Sequence, residues 1–192
     1  LYLFPTKALA QDQLLELQDV AQRLRDAFGV FTYDGDTPSD ARQAIRQRGH
    51  IVLTNPDMLH AGILPHHTKW TRLFENLRYI VIDELHTYRG VFGSHLANVL
   101  RRLKRITNFY GCSPRFIFSS ATIANPGELA QRLIGSDVTV LEGNGAPSAE
   151  KCFVFYNPPV VNRFLGIRRS YINETWRIAR KFVKRGFQTI VF

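Results

Sequence analysis

The sequence predicts an α/β fold, a parallel sheet flanked by helices, on three observations. Short apolar runs rich in β-branched and aromatic residues alternate with longer amphipathic stretches, the order that builds strand-helix-strand crossovers. The run Tyr79-Ile80-Val81-Ile82 is continuously apolar, as a buried strand requires. A length of 192 residues, 45% of them hydrophobic, suffices for one domain with its own core plus a fragment of another.

The elements follow in order. Strands are expected at Leu1 to Phe4, Val30 to Tyr33, Ile51 to Leu53, Tyr79 to Ile82, Phe116 to Phe118, Val138 to Leu141, Cys152 to Tyr156 and Thr189 to Phe192, each a short run of good strand formers. Helices are expected near 7 to 27, 38 to 48, 56 to 62, 94 to 110, 126 to 134 and 169 to 185. The helix at 126 to 134 is marked at both ends. Asn125 can cap it, Pro126 suits the first helical position, Glu128 completes a capping box and Gly135 suits the stop. In the last helix Ile172, Trp176, Ala179 and Val183 form one apolar stripe opposite the arginines and lysines, which predicts packing on a sheet with the charges outward. Gly143 to Ser148 combines glycine, proline and small polar residues and reads as a linker. It divides a unit of residues 1 to 145 from residues 146 to 192, a linker and the first strand-helix-strand of a second unit, too little to fold alone. Leu1 lies in a strand-like run where an initiating methionine would be expected, and both ends read as truncation points.

Composition narrows the function classes. No apolar run approaches the ~20 residues that span a bilayer, and Leu1 to Phe4 is shorter than the ~7 to 15 apolar residues of a signal-peptide core. No membrane partner is expected, and a cytoplasmic location follows as the default. Cys112 and Cys152 have no paired spacing and predict neither a disulfide framework nor a zinc site. Of the net charge of +9, +8 lies from residue 151 onward, where nine bases face the single acid Glu174. Such a segment can serve a phosphate backbone or form a solvated face.

The strongest local signal is Tyr79-Ile80-Val81-Ile82-Asp83-Glu84-Leu85-His86, a buried strand running directly into two carboxylates. Side chains at the carboxyl ends of such strands face the crevice where open α/β sheets bind ligands. In a nucleotide motor, an aspartate there holds magnesium and the neighbouring glutamate orients or deprotonates the attacking water. The same pair can instead cap the following turn or lie in solvent. His86 can be an ordinary hydrogen-bonded histidine, or share a metal with His95, although a metal needs three or four convergent ligands.

Four ordered stretches resemble the DEAD/DEAH-box branch of superfamily 2 helicases: Pro5-Thr6-Lys7-Ala8-Leu9 (motif Ia), Thr54-Asn55-Pro56-Asp57 (motif Ib), Asp83-Glu84-Leu85-His86 (motif II) and Ser120-Ala121-Thr122 (motif III). Tyr33 to Thr37, His86 to Gly93 and Tyr156 to Pro159 look most like the YprA/MrfA-like helicases, which carry a C-terminal cysteine-rich domain. The resemblance implies a RecA-like fold of the P-loop NTPase type, with ATP and Mg2+ as cofactors. It implies that Asp83 (the magnesium ligand) and Glu84 serve hydrolysis and that His86 joins them to Ser120 and Thr122. Ser120, Ala121 and Thr122 would couple nucleotide state to movement along a strand. Pro5, Thr6, Lys7, Thr54, Asn55 and Pro56 would lie in strand-end loops that contact a nucleic-acid backbone, DNA being favoured over RNA, with a role in repair. Residue by residue, Thr6 and Asn55 can instead be helix caps, Lys7 a solvated charge, and Ser120 and Thr122 partners of turn amides.

Two motifs of the resemblance are missing. None of the six lysines follows a glycine, so the phosphate-binding loop is absent, and no arginine follows a glycine, so the arginine-finger motif is absent too. The polypeptide as it stands is expected to bind ATP feebly and hydrolyse it negligibly. The alternatives to part of a translocase are a non-enzymatic nucleic-acid-binding module of the same fold and the motor subunit of a nuclease or restriction complex.

Overall fold

Five of the predicted strand runs pair side by side in the computed structural model, which describes every residue except 26, 144, 146 and 148. They are β1 (Tyr2–Leu3), β2 (Gly29–Thr32), β3 (Gly49–Thr54), β4 (Tyr79–Ile82) and β5 (Arg115–Phe118), in the spatial order β2-β3-β1-β4-β5, with every pairing parallel. Tyr2 lies opposite both Leu53 and Val81, so β1 joins the two halves of the sheet.

Alternation along the strands feeds two cores. Leu1, Leu3, Val52, Ile80 and Ile82 point to one face, where α5 (Gly90–Phe109) and α6 (Pro126–Ile134) supply Leu96, Leu100, Leu103, Leu133 and Ile134. Phe4, Val30 and Leu53 point to the other face, against Ala10 and Ala21 of α1 (Lys7–Arg23). Ile45 of α2 (Ser39–Arg48) joins the larger core.

Several elements differ from expectation. The segment after β3 is α3 (Pro56–Met58), a π-turn over Leu59–Ile63, a 3-10 stretch over Leu64–Trp70 and α4 (Thr71–Glu75). Its buried Leu59, Ile63, Leu64, Trp70 and Phe74 override a polar, proline-containing sequence that read as loop beyond residue 62. Gly135 ends α6 in the left-handed conformation, at φ 66°. Asn125, however, makes no capping bond to the backbone. Its amide donates to Glu128 Oε2 at 2.9 Å, so the two side chains that were to cap the helix pair with each other.

The chain divides into two units, Leu1–Glu142 and Gly143–Phe192. The expected boundary at 145/146 and three residues of the expected linker fall on positions outside the described residues. The second unit contains a hairpin of β6 (Val160–Asn162) and β7 (Ile167–Arg168), followed by α7 (Tyr171–Lys184). The runs at 138 to 141, 152 to 156 and 189 to 192 are not strands. The stripe Ile172, Trp176 and Val183 is exposed instead of packing on a sheet, and Glu174 is the one buried residue of α7.

Candidate nucleotide and nucleic-acid site

All five strands of the first unit are parallel, so the loops after them emerge along one edge, ~4.8 Å apart from strand to strand. Across β3, β1, β4 and β5 this edge presents Thr54 and Asn55, then Pro5 and Thr6, then Asp83 and Glu84, then Ser119 and Ser120. Residues from distant sequence positions thereby form one row.

Asp83 continues β4 into the loop, where its N–H donates to the Leu3 carbonyl at 2.9 Å. Its Oδ1 accepts a short hydrogen bond from the Ser119 hydroxyl. Sequence reasoning singled out Ser120 and passed over Ser119, although the adjacent serines ending β5 were visible. The Ser120 hydroxyl bonds only to its neighbour's carbonyl, Ala121 O, at 2.8 Å. Oδ2 of Asp83 has no hydrogen-bond partner among the described residues. A carboxylate held at one oxygen with the other free at the mouth of the sheet suits a hard cation, which takes oxygen ligands and keeps most of its coordination for phosphate and water.

Glu84 has a left-handed backbone, φ 53° and ψ 46°, at the N-terminal side of the 3-10 turn Leu85–Thr87. That conformation is costly for a residue with a Cβ. Three neighbours hold it: Thr87 N–H and Thr87 Oγ1 both donate to the Glu84 carbonyl, at 2.9 and 2.8 Å, and Leu85 N–H donates to Ser119 O at 2.9 Å. Here the turn fixes Glu84, and its carboxylate does not cap it.

His86 Nδ1 lies 3.2 Å from Glu84 Oε2 and 3.3 Å from the Ala121 amide nitrogen. One nitrogen cannot serve both at once. Unprotonated, Nδ1 accepts from the Ala121 N–H; protonated, it donates to Glu84 and gives up Ala121. The expected link from His86 to the Ser120-Ala121-Thr122 turn is thus present at the Ala121 backbone, while the hydroxyls of Ser120 and Thr122 take no part in it.

The loops after β1 and β3 are occupied by local bonds. Thr6 caps α1 through Oγ1, which accepts from Leu9 N–H at 3.4 Å, and Asn55 caps α3 through Oδ1, which accepts from Met58 N–H at 2.8 Å. Lys7 Nζ bonds Asp36 at 2.6 Å, and this hydrogen bond raises the lysine pKa above its ordinary value. Thr54 is buried, and its hydroxyl donates to Tyr33 O at 2.6 Å. The Thr54 hydroxyl therefore is not presented at the edge, contrary to the sequence expectation, because packing against β2 takes it up. Pro56 is likewise buried, leaving Asn55, Pro5, Thr6, Lys7 and the loop main chain at the surface.

A DEAD/DEAH box helicase family model matches residues 1–129. The chain belongs to the DEAD/DEAH box helicases. This helicase chain is 63% identical over 192 residues to the ATP-dependent helicase YprA of Bacillus subtilis (strain 168), covering 100% of itself and 26% of that relative. A crystal structure of the DUF1998 helicase MrfA bound to DNA superposes with a TM-score of 0.95 at 63% identity, over 100% of the helicase chain and 26% of that structure. MrfA bound to DNA and AMPPNP matches with a TM-score of 0.89 at 62% identity, over 95% and 25%. The helicase chain thus spans about a quarter of the length of the relatives it matches.

Proposed function

We propose that the chain is the part of an ATP-driven DNA helicase that carries its hydrolytic carboxylates and one stretch of its strand-contacting loops. The observation that carries this reading is the row of strand ends, with Asp83 and Glu84 on β4 between the loop of β1 and the serines of β5. It is supported by the family and by relatives whose structures hold DNA and AMPPNP.

In this reading Asp83 holds magnesium, steadied by Ser119, and bound Mg-ATP supplies the phosphoryl group with its charge partly neutralised. Glu84 orients the attacking water and takes its proton on a carboxylate oxygen. His86 acts by the choice between its two neighbours: the state of the Glu84 carboxylate decides whether Nδ1 is drawn to it or holds the Ala121 amide, and so whether the turn after β5 is tied down. Pro5, Thr6, Lys7, Asn55 and the main chain beside Thr54 and Pro56 contact DNA phosphates without regard to base sequence.

The test uses the full-length protein with Glu84→Gln, which keeps shape and removes the base. DNA-stimulated ATP turnover should fall by at least two orders of magnitude, within the range of one general base, while DNA affinity is retained. Turnover equal to wild type would remove Glu84 from this role.

A further inference from the structure

The stretch His86 to Gly93 is used by the proposed chemistry only at its first residue. The remainder lines a cavity of about 580 Å³ between the first turns of α5 and the start of α6. Tyr88 is fully buried there, and its hydroxyl has no hydrogen-bond partner among the described residues. It is the one buried side-chain polar atom among them left without one, and such an orphan ordinarily costs ~1–3 kcal/mol in a folded protein. Burial, with the charges of Asp83 and Glu84 adding to it, raises the phenol far above its ordinary pKa, so the group is a neutral O–H donor at any physiological pH.

The rest of the wall is matched to an acceptor. The cavity lies at the N-terminus of the 20-residue α5, whose first turn has no acidic residue and no side-chain cap, leaving N–H groups and the positive end of the helix dipole turned outward. Gly90 and Gly93 line it and let a ligand approach the backbone closely. Arg89 lines it and has no side-chain partner among the described residues. Arg101 bonds only the neutral Asn98, whereas Arg132 is paired with Glu128 at 2.5 Å and contributes little net charge. Asp83 and Glu84 are the opposing charges acting on Tyr88, and neither lines the cavity.

We propose that this cavity binds a phosphate group, with Tyr88 Oη, the Arg89 guanidinium and the first-turn amides of α5 as its donors. The phosphate can come from a nucleic-acid backbone or from a nucleotide; naming these two sources rests on the helicase reading. The site itself does not.

The experiment compares the full-length protein with its Tyr88→Phe and Arg89→Ala variants. Affinity for a fluorescein-labelled single-stranded DNA is read by anisotropy with AMPPNP saturating, and affinity for AMPPNP is read by calorimetry without DNA. Tyr88→Phe carries the decision because it removes a donor and no charge. Loss of one hydrogen bond to an anion should weaken one of the two affinities about tenfold. The melting temperature without ligand should not fall, since the phenol gives up no partner in the free protein. Weakened DNA binding identifies a backbone phosphodiester, and weakened AMPPNP binding a nucleotide phosphate; either outcome supports the site. Both affinities unchanged would overturn it. So would a Tyr88→Phe protein that melts lower before any ligand is added, because the hydroxyl would then be bonded within the fold by another protein segment. ATP turnover in Glu84→Gln is a separate reading, so each proposal can fail without the other.

Discussion

Glu84 combines the most exacting chemistry proposed for the chain with one of its least comfortable backbones. A left-handed dihedral on a residue with a Cβ costs ~1 kcal/mol or more, and such strain persists only where the surroundings enforce it. Glycine adopts the same dihedral freely. Glu84→Gly should therefore be no less stable than wild type, and more stable by up to about 1 kcal/mol once the flexibility of unfolded glycine is set against the strain. It should at the same time lose ATP turnover. Denaturant melts beside ATPase rates would check this, and clear destabilisation would mean that the carboxylate holds the fold together. Glu174 shows the opposite arrangement, a charge serving structure. Hydrogen bonds from Arg177 first, and then from Tyr156 and Arg169, depress its pKa from 4.5 to about 2.

Among the elements, α5 does most to assemble the first unit: its Leu96, Leu100 and Leu103 are fully buried on the larger core. Leu100→Ala removes methyl groups that the surroundings cannot replace and should cost ~2–5 kcal/mol. An equal change at exposed Leu15 of α1 should shift the melting midpoint little, and the comparison of the two in urea is the measurement. The fully buried elements were also the ones legible in the sequence. Tyr79–Ile82 and Pro126–Ile134 appear with the expected bounds, since periodicity records burial and burial is what forms them. The row Asp83, Glu84 and His86 was legible for the same reason, as a polar break in an apolar run. What the sequence did not reveal depends on neighbours. A strand exists only by pairing, so 138 to 141, 152 to 156 and 189 to 192 have strand composition and no ladder. The hairpin Val160–Asn162 with Ile167–Arg168 formed across a short turn containing Gly166, a signal present but outweighed by the basic residues around it. The roles of Ser119 and of Ala121 N–H rest on which strand lies beside β4, which no local pattern states.

At the scale of the whole molecule the two units differ in what holds them. The first has two apolar cores, whereas in the second Glu174 is the only buried residue and its ion pairs tie Tyr156 to α7. A carboxylate whose folded pKa is depressed contributes stability above its unfolded value, near 4.5, and loses it as pH falls toward about 2. Residues 143–192 should consequently loosen across that window while the first unit remains folded. The Trp176 indole NMR resonance should shift before that of the buried Trp70, and Glu174→Gln should abolish the step. Simultaneous loss of both resonances would mean one cooperative structure. Within the first unit, the bonds Asp83 N–H to Leu3 O and Phe4 N–H to Thr54 O involve a single group, because the Leu3 carbonyl and the Phe4 amide belong to the same peptide. That group is planar and resists twisting. It works as a rigid lever between the loop of β4 and the loop of β3: a tilt imposed beside the carboxylates arrives beside Asn55 with no side chain and no slack in between, and a mutation can weaken that transmission only by moving the backbone itself.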